Sequence, residues 1–244
     1  MAGAGLIAGT MNALVGGGTF VTLPALMAAG VPSVEANTSS TVALYPSQIV
    51  ATLSYRDGQT SVAGVPLKWL LVTTFLGGAV GALLLLRTSS ATFDKALPWL
   101  LSLATLTLMF GRRWGEMLRA RVAIGPKAVL LLQGLLGVYG GYFGGAVGIM
   151  MMAVWGLLHS ADLKRMNAPR TLLVSAANTV AVAIFVLARA VYWRQALCLM
   201  AGALAGSYVG AEIGKRASNH VVRIITLSVS TLITLAFFVK AYFQ

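Results

Sequence analysis

Five uninterrupted apolar stretches limit what this chain can become: residues 66–86, 93–111, 171–191, 193–213 and 220–243. Each is long enough to cross the roughly 30 Å hydrocarbon core of a bilayer as a helix. Charged residues make up only 10% of the sequence, where soluble domains carry about a quarter. Mean hydropathy is +0.83. The chain is therefore expected to be an all-α polytopic membrane protein. Segments 3–30, 38–55 and 127–158 are also apolar but interrupted, bringing the total to about eight hydrophobic segments.

The net charge of +12 would suggest a nucleic-acid partner in a soluble protein. Here the basic residues sit in short connections between apolar segments, the pattern of charges that orient a membrane chain, so no nucleic acid is expected. The single cysteine, Cys198, lies in an apolar run and reads as a small hydrophobe. Residues 1–9 lack a basic leader region, so the first apolar stretch is expected to belong to the mature protein.

The chain repeats itself at an offset of 128 to 130 residues. Gly9, Gly16 and Gly17 match Gly137, Gly144 and Gly145. Asn37 and Thr41 match Asn167 and Thr171, Gln48 falls opposite Asn178, and Gly77 and Gly81 match Gly206 and Gly210. This divides the chain into a first repeat, 1–110, a basic cytoplasmic linker, 111–126, and a second repeat, 127–244. Each repeat holds one glycine-interrupted segment followed by three further segments.

Whether the interrupted segments span or re-enter decides the topology. If they span, the 18 basic residues divide 8 against 10 between the two sides, which orients nothing. If both re-enter, 13 collect on one side and 5 on the other. Three spans plus one re-entrant hairpin per repeat is therefore preferred, with both termini outside. An odd number of crossings makes the two repeats inverted relative to each other, as in many alternating-access transporters.

The glycine interruptions carry the functional argument. A helix broken within a membrane leaves backbone groups that cost several kcal/mol each unless they are buried in protein or line a wet cavity. The second half-helix of each hairpin should start near Thr19 and Ala146, with free N–H groups and a positive dipole end aimed inward. Two such ends across an inverted repeat would make an anion site. Close helix packing is the other use of glycines in membranes, and it is the expected role of "GGAVG" at 77–81 and "GSYVG" at 206–210.

Segment 38–55 is too polar to face lipid on all sides, so it should line the interior. Ser40, Thr41, Leu44, Ser47 and Gln48 share one helical stripe, and Pro46 can free a carbonyl beside them. Thr171, Val174, Ser175 and Asn178 form the matching stripe. Interhelical hydrogen bonding could account for some of these residues. Arg170, the basic residue nearest the second stripe, is either a cytoplasmic flank charge or an anion ligand. Trp69, Trp99, Trp114 and Trp193 suit interfacial anchors.

The candidate substrate-binding set is Asn12, Gly16, Gly17, Gly18, Thr19, Thr41, Tyr45 and Gln48 from the first repeat. From the second come Tyr142, Gly144, Gly145, Ala146, Arg170, Thr171, Ser175 and Asn178. Glu35, Asp57, Asp94, Glu116 and Asp162 all sit in connections and Glu212 lies near a basic segment end, so a carboxylate relay has little support. His159 and His220 are at segment ends, and no hydrolase, zinc or nucleophile motif occurs, so no enzyme, metal or cofactor is expected. A channel and a carrier with the same lining are not separable at this level.

In combination these motifs resemble the TauE/SafE sulfite exporter family over nearly the whole chain. The resemblance rests on "GTMNALVGGGTFVTLPALMAAGVPSVEANTSS", "GVYGGYFGGAVGIMMM", "DLKRMNAPRTLLVSAANTV" and "GALAGSYVGAEIGKR". It implies a bacterial inner-membrane carrier exporting a small sulfur-containing anion such as sulfite or an organosulfonate, or another small anion on the same scaffold. Its partners would be that substrate and the lipid bilayer; oligomeric state is left open. The implied signature positions are Gly16, Gly17, Gly18 and Pro24, then Tyr139, Gly140, Gly141, Tyr142, Phe143, Gly144, Gly145, Asn167, Arg170 and Asn178. Ala146 stands where a third glycine would sit, and nothing matches Pro24, so the two half-helices are not expected to be symmetric in detail.

Overall fold

A computed structural model describes residues 1–54, 61–62, 64–119, 125–158, 166–216 and 219–243. Among them are ten α-helices: α1 (Ala2–Val15), α2 (Thr19–Ala28), α3 (Ser33–Ser54), α4 (Leu67–Arg87), α5 (Ser90–Arg119), α6 (Pro126–Tyr142), α7 (Val147–Leu158), α8 (Asn167–Leu187), α9 (Trp193–Arg216) and α10 (Asn219–Phe243). Between α3 and α4 lie two-residue strands, β1 (Ser61–Val62) and β2 (Val65–Pro66), paired antiparallel with Val62 opposite Val65. Two short helices followed by three long ones therefore occur twice. The glycine-interrupted segments 3–30 and 127–158 are each a helical pair, which turns the eight hydrophobic segments into ten helices.

Helices α4, α5, α8, α9 and α10 contain apolar windows long enough to cross a bilayer. The protein is an all-α, multi-pass membrane protein. Helix α3, 22 residues long, carries the polar stripe and is largely enclosed by protein. Residues 111–119, expected as linker, continue α5 to Arg119, because a run rich in Arg, Met, Leu and Glu favours helix. Of the connection residues named above, Asp57, His159 and Asp162 lie outside the described residues.

Helix α4 shows how a membrane fold inverts the soluble pattern. Its buried face holds Thr74, Gly77, Gly78, Gly81 and Ala82, while Val72, Phe75, Leu76, Val80, Leu83 and Leu84 are exposed where lipid would lie. Apolar side chains gain nothing by leaving lipid for protein, so small residues drive the packing by letting backbones approach.

The close contacts link the two halves crosswise. A methyl at Gly137 of α6 would meet Thr74 O of α4 at 2.7 Å, and one at Gly210 of α9 would meet Thr10 O of α1 at 2.7 Å. Gly5 and Gly9 of α1 abut Leu199 and Ala203 of α9 in rising order, so the two helices run parallel. So do α4 and α6, in which Gly77 abuts Gly134 and Gly81 abuts Val138. These are the packing roles expected of 77–81 and 206–210.

Hydrogen bonds fix which ends are shared. Helices α3 and α8 are antiparallel: Tyr45 Oη and Thr179 Oγ1 are 2.8 Å apart, and Thr52 Oγ1 lies 3.2 Å from Thr171 O and 2.6 Å from Ser175 Oγ. Thr38 Oγ1 donates to Ala190 O, and Tyr192 N–H donates to Ser39 Oγ at 2.9 Å, so α3 begins where α8 ends and α9 starts. Because α1 parallels α9, α1 and α3 start from this same end, termed here the Arg189 end. Because α6 parallels α4, which follows the far end of α3, α6 and α8 both start from the opposite end, termed the Arg170 end.

Candidate functional site

Both helical pairs break on a glycine in the left-handed region. Gly16, at φ 81°, ends α1 with its N–H bonded to Asn12 O, and Gly144, the aligned position, has φ 73°. Glycine adopts this conformation without the steric cost of a Cβ. The breaks then diverge. Gly18 has ordinary helical angles and is required for space, since a Cβ there would meet Ala8 O at 2.8 Å. Its aligned residue Ala146 instead takes φ 57°, a strained value for a side chain that costs on the order of 1–2 kcal/mol. This is the asymmetry expected from an alanine in place of a third glycine.

Beyond the breaks, α2 starts at Thr19 and α7 at Val147, and both residues border one cavity of about 560 Å³. At the start of α2, Phe20 N–H bonds to Gly17 O and the Val21 and Thr22 N–H groups bond to Gly18 O, while the N–H groups of α7 that precede the Met150 to Ala146 bond have no helical acceptor by virtue of position. Five aligned pairs line this single space: Gly16 with Gly144, Thr19 with Val147, Thr41 with Thr171, Leu44 with Val174, and Gln48 with Asn178. Asn12 also faces it, with Nδ2 3.4 Å from Ser47 Oγ, and Arg170 lines it with its aliphatic stem laid over Gly148. Neither the Gln48 nor the Asn178 side-chain amide hydrogen-bonds to another described residue, and the Asn178 Oδ1 atom is buried without a partner. Two adaptable amides are thus left for an occupant.

Of the candidate residues, Asn12, Gly16, Thr19, Thr41, Gln48, Gly144, Arg170, Thr171 and Asn178 are on the cavity wall. The others stand behind it. Gly17, Gly18, Gly145 and Ala146 shape the breaks. Tyr45 and Ser175 bond to Thr179 and Thr52, tying α3 to α8. Tyr142 directs its hydroxyl to Thr88 Oγ1 at 3.3 Å and its carbonyl to Asn37 Nδ2 at 3.0 Å.

Sequence reasoning missed the part of the wall supplied by α9, namely Leu204, Ser207, Tyr208 and Ala211. Ser207 and Tyr208 lie inside "GSYVG", where the glycine frame drew attention to the packing face. A helical projection would have found the signal, because Ser207 and Tyr208 fall between the glycines that pack on α1. The matching positions of α4, such as Gly78 and Ala82, are buried in contacts instead.

The family model for the sulfite exporter TauE/SafE matches residues 1–237. The chain belongs to the TauE/SafE family. It is 27% identical over 230 residues to a probable membrane transporter protein of Haemophilus influenzae, covering 94% of this chain and 90% of that one. Against the probable membrane transporter protein YfcA of Escherichia coli K12 the identity is 26%, covering 94% and 85%. The probable membrane transporter protein ORF9 of a Sinorhizobium species is 27% identical over 232 residues, covering 93% and 87%. No solved structure matches the chain. This TauE/SafE chain is accordingly a membrane transporter, and the cavity between its two breaks is the candidate place for the solute.

Proposed function

We propose that this TauE/SafE protein exports a small sulfur-containing anion, a sulfonate in preference to bare sulfite, across a bacterial inner membrane by alternating access. The observation that carries the proposal is the single cavity lined by five aligned pairs of residues from the two halves. A solute there meets the starts of α2 and α7, whose positive dipole ends favour an anion. Thr19, Gln48, Asn178 and Asn12 add uncharged donors, Thr41 and Thr171 border the space with their hydroxyl protons given to Asn37 O and Ala168 O, and Arg170 adds a positive charge toward one end. A sulfonate head with three acceptor oxygens matches such a set. The remaining wall, with Leu44, Val50, Val174 and Leu204, suits a carbon chain, and the volume exceeds what a bare oxyanion occupies.

The inverted topology is part of the proposal. The pair α1–α2 leaves and returns to the Arg189 end, and α6–α7 does so from the Arg170 end, which is the relation two inverted repeats would have. The wall residues Val50 and Ala211 are exposed and lie toward the Arg170 end, so we assign the structure to a state open on the basic, cytoplasmic side. The opposite state would unpack α4 around Gly78 and Ala82, as α9 is unpacked here.

Counterflow in proteoliposomes tests the binding assignment. The carrier should exchange labelled sulfoacetate, and Gln48→Ala and Asn178→Ala should each weaken it roughly tenfold to a hundredfold, the loss of one hydrogen bond to a charged group of about 1.5–3 kcal/mol. Wild-type exchange by both variants would sink the assignment of these residues.

A further inference from the structure

Asn37 is 1% exposed, and its carboxamide is only half satisfied. Nδ2 donates to Tyr142 O at 3.0 Å, while Oδ1 is buried with no hydrogen-bond partner. Turning the amide over would set Asn37 Oδ1 against Tyr142 O with no proton between them, so the bond to Tyr142 O fixes the orientation and the orphan is the acceptor Oδ1. A buried acceptor left in this way is costly unless something fills its place.

The group its amide meets, Tyr142 O, is also an acceptor. Tyr142 ends α6, and the last carbonyls of a helix have no helical N–H to accept from and carry its partial negative charge. Gly140 and Gly141 belong to this turn, and the Phe143 N–H goes to Tyr139 O instead. One turn along α3, Thr41 spends its hydroxyl proton on Asn37 O at 3.0 Å, leaving its lone pairs free. Gly144 brings two of these oxygens to one side of itself. In the space its side chain would fill, a Cβ would lie 3.1 Å from Thr41 Oγ1 and 3.7 Å from Gly140 O.

We infer that this pocket of neutral oxygens, Asn37 Oδ1 and Thr41 Oγ1 with the final carbonyls of α6, binds a monovalent metal cation of sodium's size. A water has two protons to give, whereas a cation would satisfy all of these oxygens at once. Hard oxygen ligands without a carboxylate among them suit a single charge better than calcium or magnesium. Ends of broken helices serve this purpose in other transporters. The site borders the anion cavity through Thr41, so, on the reading of that cavity given above, a cation resident there would strengthen anion binding without crossing with it, and flux would respond to sodium.

The test needs no anion substrate. Thermal unfolding of the purified full-length protein in detergent is followed while sodium chloride replaces choline chloride at constant ionic strength, with potassium chloride as a parallel series. The expected result is a saturable rise in melting temperature with sodium, absent with choline. In Asn37→Ala the rise should be lost, or should need at least tenfold more sodium. Equal melting temperatures in all three salts for the wild-type protein would overturn the site, whether or not the variant folds. A sodium response retained by Asn37→Ala would place the ion elsewhere and overturn it equally. If sodium binds but does not alter anion flux, the site stands and the coupling to transport fails.

Discussion

At the scale of single residues, the glycines divide into those that bend the backbone and those that let helices touch. Gly137 is of the second kind, and Gly137→Ala should destabilise the protein by about 1–3 kcal/mol through collision with Thr74 O, read as a lower melting temperature. Gly3 is the control, since nothing lies within 4 Å of a Cβ placed there, and Gly3→Ala should be neutral or slightly stabilising. Gly144 is of the first kind. Glycines four apart mark a packed face, but consecutive glycines alone do not mark a break, since Gly77-Gly78 and Gly140-Gly141 lie inside packed helices. The sequence could not reveal that Gly137 and Gly141 press against α4, since partner choice is set by contacts far apart in the chain.

At the scale of elements, the polar stripes were legible and their division of labour was not. Thr41, Leu44, Ser47 and Gln48 do line the cavity, as helical spacing on α3 requires. Ser40, on the same stripe, is turned to Thr22 Oγ1 of α2, and Ser175 of α8 to Thr52. Which hydroxyl meets solute and which meets protein depends on the neighbouring helix, and periodicity carries no record of that. A second example is the chain Trp155–Gln133–Thr74. Trp155 Nε1 donates to Gln133 Oε1 at 3.1 Å, and Gln133 Nε2 donates to Thr74 Oγ1 at 2.8 Å, joining α7, α6 and α4. Gln133→Leu would orphan the buried indole N–H, at a cost of about 1–3 kcal/mol. Denaturation of the purified variant should show that loss, and the stability should recover if Trp155→Phe is added.

At the scale of the whole molecule, helix order and cross-packing treat the two halves alike, while the cavity mouth does not. Side chains of α9 line the mouth, and the corresponding part of α4 is closed by Gly78 against Gly141 and Ala177. The repeat itself could be read from aligned glycines and asparagines; the one-sided opening could not, because it depends on contacts between helices far apart in the chain. The proposed orientation predicts that cysteines at Ala120 and Ser160, introduced on a Cys198→Ser background, resist a membrane-impermeant thiol reagent in whole cells and react after lysis. Reaction at either position in intact cells would reverse the topology. The central claim is that an anion crosses by way of the space between the two breaks, and an inside-negative potential favours its exit by about 2.3 kcal/mol per charge per 100 mV. The most direct measurement is flux from proteoliposomes under an imposed potential, across sulfite, sulfate, sulfoacetate, taurine, bicarbonate and lactate. The account predicts that sulfoacetate moves faster than sulfite, that its flux rises with the potential, and that the flux falls at least tenfold in Gln48→Ala. Movement of none of these anions under any ion gradient would contradict it.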